Sequence, residues 1–153
     1  MEEARLAGAD DRPACLLLLT SALAELATLR GGAILAGQAT AEGLLDRWMA
    51  PGSSTAVYVG QFAQAVVGIL AVSSFSRPGT GTVSGRIECC YVETGARGVG
   101  VGAALLAAAL SWCAAARCAD VDALALPGDR STKQRLEAAG FTARLLTLNR
   151  RLD

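Results

Sequence analysis

The spacing of apolar and polar residues changes along this chain, and each change marks an element. Residues 4–8 are short and half apolar and predict a first strand. Asp10 and Asp11 can cap a helix, and Pro13 fits its first turn, where a missing N–H costs nothing. The Leu- and Ala-rich stretch Cys15 to Arg30 predicts that helix, with Gly31-Gly32 as its stop. Thr40 is placed to cap a second helix that runs to Ala50, where Pro51-Gly52 ends it. Thr55 to Gly60 and Ala65 to Phe75 are β-branched and apolar, and predict a hairpin turning at Gln61–Gln64.

Residues 77–85 are loop chemistry, and Arg86 to Val92 follows as a strand. From Gly100 to Cys118 the chain is apolar on almost every side, which predicts a long, largely buried helix. Val121 to Leu126 predicts the next strand. Ser131 and Gln134 have capping-box spacing for a short helix that Gly140 closes, and Phe141 to Arg151 predicts a last strand. Strands that first meander and then alternate with helices imply an α/β fold of mixed type, with about six strands in one sheet and about four flanking helices. The unit from 86–92 through the long helix to 121–126 should be a right-handed, parallel βαβ. The absence of repeats and long linkers makes residues 1–153 one domain.

Composition narrows the functions available. Hydrophobic residues make up 52% of the chain and charged residues 18%, ample for one core and unlike a disordered chain. Fourteen basic residues balance fourteen acidic ones, and no basic stripe exists, which argues against nucleic acid. The two signs are unevenly placed. Residues 1–96 carry six basic and nine acidic side chains, and residues 97–153 carry eight and five. An anionic ligand suits the second part. With no His and no CxxC pair among five cysteines, no metal site is expected; the thiols read as reduced and mostly buried. The acidic start Met1-Glu2-Glu3 is unlike a signal peptide, and Leu16 to Leu29 is too short and interrupted by Glu25 to span a bilayer. A soluble, cytoplasmic protein with no membrane partner is the expectation.

The informative feature is Arg97-Gly98-Val99-Gly100-Val101-Gly102, between a strand and a helix. Glycines let the backbone turn tightly and approach a ligand. The unpaired N–H groups at the helix start suit a phosphate or pyrophosphate. A dinucleotide fingerprint needs a third glycine where this chain has Ala103-Ala104-Leu105, and a P-loop needs Gly-Lys-Ser/Thr, which is missing.

The segment Tyr91 to Leu106, with Arg-x-x-Gly-x-Gly running into Ala-Ala-Leu-Leu, resembles the acyl-CoA signature of the GNAT superfamily of N-acyltransferases. Ser131 to Phe141, ending in Gly140-Phe141, is similar to that family's later helix, and the order of elements resembles the family from residue 4 to 151. The resemblance implies acetyl-CoA as co-substrate. Its pyrophosphate would rest on the backbone of Arg97, Gly98, Val99, Gly100, Val101, Gly102 and Ala103, and its pantetheine arm would pair with Cys90, Tyr91 and Val92. Lys133, with Arg130 and Arg135, could meet the phosphates or else form a solvated helix face, and Asp129 stands where the family often has an Asn touching the pantetheine.

Acyl transfer to an amine needs a base, and without His that role falls to a carboxylate. Glu88 is the candidate, on the strand leading to the signature where family members often carry an acidic base; burial there would tune it. Glu93 is the second candidate, and the alternative for Glu88 is a charge at the sheet margin paired with Arg86 or another Arg. The resemblance also places Leu136 where many members have a Tyr that protonates the leaving thiolate. A chain reduced to acyl-CoA binding, with a sensing or scaffolding role, is the competing reading, and an α/β domain whose glycine turn holds another phosphate is the third. The acceptor should be a small-molecule or peptide amine. Trp48, Met49, Glu42 and Asp46 would form its acidic, partly aromatic site, or else an ordinary amphipathic helix with Trp48 in the core. The hairpin after Gly-Phe is shortened, leaving an open groove or one completed by a partner subunit in a homodimer.

Overall fold

The computed structural model describes residues 1–153. Five strands form one sheet in the order β1-β2-β3-β4-β5: Glu2–Leu6, Thr55–Phe62, Ala65–Ser76, Val83–Val92 and Val121–Asp122. The first four run antiparallel to their neighbours, and β5 runs parallel to β4, so the sheet is mixed as expected. Five helices accompany it: α1 (Arg12–Thr28), α2 (Gly32–Ala36), α3 (Ala41–Trp48), α4 (Val101–Ala115) and α5 (Arg130–Ala138).

Local chemistry explains most boundaries. Asp11 precedes α1 but does not cap it, because its carboxylate accepts from Arg5 and the Gly8 N–H instead; Pro13 sits in the first turn as expected. The Thr40 hydroxyl accepts the Gly43 N–H and caps α3. The β2–β3 hairpin turns on Ala63 and Gln64, both with positive φ, the geometry that matches the twist of the flanking strands.

Two apolar clusters cover the two sheet faces. On one, Cys15, Leu18 and Leu19 of α1 and Ala41, Leu45 and Trp48 of α3 pack on Val57, Val59, Ile69 and Ala71. On the other, Val101, Leu105, Leu106, Ala109 and Cys113 of α4 pack on Leu70, Val72, Ile87 and Val92. Close approach of α4 depends on glycine: a Cβ on Gly60 would stand 2.5 Å from Val101 Cγ1, and one on Gly85 would collide with Cys113 Sγ.

Several expectations are corrected. The long helix is not largely buried. Only those five α4 residues are buried, and its solvent face is Ala103, Ala107, Ser111 and Ala114, small side chains that expose little apolar surface. The short α2 was not expected. The α5 cap is Asp129 rather than Ser131, its carboxylate accepting the Thr132 N–H. Strand β5 has two residues, not six, and residues 141–151 form no strand, so the sheet has five strands instead of six. Leu145, Leu146 and Leu148 are exposed there, as is Leu152 beyond it. Phe141 packs against the α4-side cluster, and Arg144 ties the segment back through two hydrogen bonds to Asp122.

Candidate functional site

Strand β4 carries the site. Its register with β3 pairs Ala71 with Cys89 and Val72 with Ile87, so Glu88 is an extra residue without an opposite number. This bulge shifts the phase of the strand. Before it, the Gly85 N–H donates to Asp120 O, toward β5. After it, the Glu93 N–H donates to Val67 O, toward β3. Alternation along the strand therefore turns the N–H groups of Cys90 and Val92 to the β5 side. Ladder pairing with β5 involves only Gly85 and Arg86, so from Ile87 onward that edge is open.

The open edge leads into the glycine turn. A 3-10 turn at Thr94–Ala96 reverses the chain, and Gly98 and Gly100 adopt φ of +83° and +94°, values that glycine reaches without strain. The N–H groups from Gly98 to Ala103 have no acceptor within the chain, and no side chain caps α4. Six free donors at a helix start form an anion cradle. They open on a cleft of about 260 Å³ lined by Val92, Ala96, Arg97, Gly98, Gly100, Gly102, Ala103 and Arg135. This chemistry fits a pyrophosphate.

The side chain of Arg97 does not point at a ligand. Its Nε donates to Val92 O at 2.9 Å, and its Nη2 donates to Glu25 at 2.7 Å. The hydrogen bond to Glu25 raises the Arg97 pKa further. Arg97 thus clamps the turn to β4 and to α1, while the backbone stays free. Val99 and Val101 contribute backbone N–H groups only; the Val101 side chain is buried under the sheet.

From α5, Arg135 enters the cleft. A Cβ on Gly102 would stand 3.1 Å from its guanidinium carbon, and its Nη1 lies 4.0 Å from Cys90 Sγ. Lys133 points elsewhere, toward Glu137 at 3.8 Å on an exposed face. Asp129 accepts hydrogen bonds from the Thr132 hydroxyl and N–H and from Ser131. Burial opposes its ionisation, but these bonds outweigh it and lower its pKa. Its oxygens therefore serve the helix cap. Leu136 packs into the α4-side cluster and offers no hydroxyl.

Glu88 is exposed, so the burial expected for it is not found. It is not paired with Arg86 either. The Ser73 hydroxyl donates to its Oε1 at 2.6 Å, from the neighbouring strand. The bulge places Glu88 and Cys89 on the α1 and α3 face, whereas Cys90 and Val92 turn to α4 and Tyr91 turns back. Burial pushes the Cys89 thiol up to about 12 and raises that of Cys90 against the opposing Arg135 charge, which disfavours both thiolates. Glu93 is exposed in the turn.

The expected acceptor residues do not converge. Trp48 is buried in the core, and Asp46 is bonded to Arg12 at 2.6 Å. Sequence reasoning did not single out the face beside Glu88, where Phe75 lies under Arg86 at 4.2 Å and Arg77 at 5.5 Å. The alternation of β3 and β4 could have placed these side chains together, once the bulge was known.

No group of three or more His, Cys, Asp or Glu side chains could hold a metal ion, and no helix is long and apolar enough to cross a membrane. A family model described as the acetyltransferase (GNAT) family matches residues 27–141. No curated protein matches the chain by sequence. Among solved structures, ribosomal-protein-alanine N-acetyltransferase from Brucella melitensis biovar Abortus 2308 is 18% identical with a TM-score of 0.73, covering 100% of both chains. An aminoglycoside acetyltransferase from an uncultured soil metagenomic sample is 16% identical, with a TM-score of 0.72 over 99% of this chain and 95% of its own. Glucosamine-6-phosphate N-acetyltransferase from Arabidopsis thaliana is 16% identical, with a TM-score of 0.71 over 100% and 99%. At these identities the likeness is one of fold.

Proposed function

The chain belongs to the acetyltransferase (GNAT) family, and from that premise we infer that it transfers an acetyl group from acetyl-CoA to a primary amine of a small molecule or peptide. The observation that carries this reading is the continuity of two features: six free N–H groups at the start of α4 and an open β4 edge running from them to Glu88. The first suits the pyrophosphate and the second the extended pantetheine arm.

In this reading the amide-like pantetheine pairs with the N–H groups of Cys90 and Val92. One of these, fixed by the strand, also polarises the thioester carbonyl, since a preorganised donor is the best stabiliser of a developing oxyanion. The amine nitrogen forms the new C–N bond, the C–S bond breaks, and the nitrogen's proton passes to Glu88 directly or through water. The sulfur leaves as a thiolate. With Leu136 in place of a hydroxyl, water is its proton donor. Arg135 meets the phosphates, while Lys133 and Asp129 serve α5 itself. Free thiols at Cys15, Cys89, Cys90, Cys113 and Cys118 suit a reducing, cytoplasmic setting.

Thermal stabilisation by acetyl-CoA, and not by ATP or NAD, is the expected result. Thiol release across a panel of amino acids, polyamines, aminoglycosides and peptides then tests transfer. Stabilisation by another nucleotide alone would sink the reading. Leu136, half-buried against apolar neighbours and without a hydroxyl, favours the second reading, a chain that binds acyl-CoA without transfer. Binding with no thiol release from any amine would select it.

A further inference from the structure

Two arginines stack on Phe75, and they are not equivalent. Arg77 lies 5.5 Å from the ring centre, but its donors are taken up by Ser84 at 3.1 Å, Asp120 at 3.2 Å and Asp122 at 3.1 Å. Arg86 lies closer, at 4.2 Å, and its guanidinium makes no hydrogen bond or ion pair within the chain. It is exposed. The ring orients the guanidinium and leaves its five N–H donors free. Arg86 is also two residues before Glu88 on the same sheet face. Ser73 is the register partner of Arg86 and at the same time the hydrogen-bond donor to Glu88. A cation without a partner and a carboxylate thus share one exposed face, roughly two strand residues or about 7 Å apart along β4.

That arrangement complements a zwitterion. Resting on the acyltransferase reading above, we propose that the acceptor is an amine that also carries a carboxylate, with Arg86 binding the carboxylate while Glu88 takes the proton from the amine. Arginine suits the task because its planar fork meets a carboxylate through two parallel hydrogen bonds. The Phe75 stack holds that fork in place, so little side-chain freedom is lost on binding. A cationic polyamine would meet Arg86 as a like charge. A plain alkylamine would leave it unmatched.

The test is thiol release from acetyl-CoA with matched pairs: β-alanine against ethylamine, γ-aminobutyrate against propylamine, and putrescine as the cationic control. The expected result is a kcat/KM at least about 10-fold higher for the carboxylated member of each pair, one charge-assisted hydrogen bond's worth. Arg86→Gln should collapse that ratio toward one, and Arg86→Lys should retain part of it. Comparing the ratio between parent and variant cancels differences in amine basicity. Acetyl-CoA stabilisation of Arg86→Gln shows that the variant is folded. Acetyl-CoA binding without a preference for the carboxylated members overturns this inference and leaves the transferase reading standing. So does a preference that survives Arg86→Gln. If the parent chain shows no acetyl-CoA stabilisation, the transferase reading fails and the inference fails with it.

Discussion

The Ser73 hydroxyl reaches across from β3 and donates a 2.6 Å hydrogen bond to Oε1 of Glu88, the unpaired residue of the β4 bulge. The bond fixes the direction of a carboxylate that is otherwise exposed. One oxygen is held, and the other remains free for an incoming proton.

Glu88→Gln keeps the shape and removes the carboxylate proposed as the base. It should lower kcat by about 10²-fold or more while acetyl-CoA stabilisation is kept, the usual scale for a positioned base. Ser73→Ala should give a smaller loss, because the carboxylate remains but is no longer oriented. Steady-state kinetics with any accepted amine reads both, and an unchanged kcat in Glu88→Gln removes it from the mechanism.

Arg135 is the cation that the structure brings over the glycine turn. Arg135→Leu should raise KM for acetyl-CoA about 10-fold with little change in kcat, since a phosphate contact is made equally before and during reaction. Lys133→Ala, on the exposed face with Glu137, should leave KM unchanged. Equal effects of the two substitutions would mean that the cleft geometry does not govern phosphate binding.

Gly85 lies directly under Cys113. Gly85→Ala should destabilise the fold by about 1–3 kcal/mol through overpacking. Cys113→Ala should recover part of that loss in the double variant, a coupling that urea unfolding of the four-member cycle measures. Strict additivity would show that α4 shifts away instead.

Asp11 receives two hydrogen bonds from Arg5, at 2.7 and 2.9 Å, joining β1 to the start of α1. The Arg5 guanidinium, helped by the Gly8 N–H, lowers the Asp11 pKa to about 2. A lowered folded-state pKa stabilises the fold above the unfolded value near 4, and that contribution fades as pH falls through 2. Asp11→Asn should therefore lower Tm by about 2–4 °C at pH 7. The gap to the parent should narrow as pH falls from about 4 toward 2. A constant gap over that range would show that the charge is not what matters.

Much of this was legible along the chain. The Thr40 cap, the hairpin at residues 61–64, the turn of Gly98 and Gly100 and the helix behind it all follow from interactions within a few residues. The same local rules misplaced the α5 cap by two positions, because Asp129 competes with Ser131 and only the helix start decides between them. They also made a strand of residues 141–151. The apolar pattern is there, but a strand needs a ladder partner, and β5 offers two residues.

The sequence alone determined the anion cradle, because six free N–H groups need only two glycines and a helix start. It could not determine which side chains meet that cradle. Whether Glu88 faces α1 or α4 depends on a bulge in the pairing of β3 with β4, between residues some fifteen positions apart. Whether Arg135 or Lys133 enters the cleft depends on how α5 is rotated. Successive residues turn by about 100°, so these two lie nearly opposite, and the docking of Leu136 against the α4-side cluster selects Arg135. Register and rotation are set by contacts between distant segments, and only the folded chain contains them.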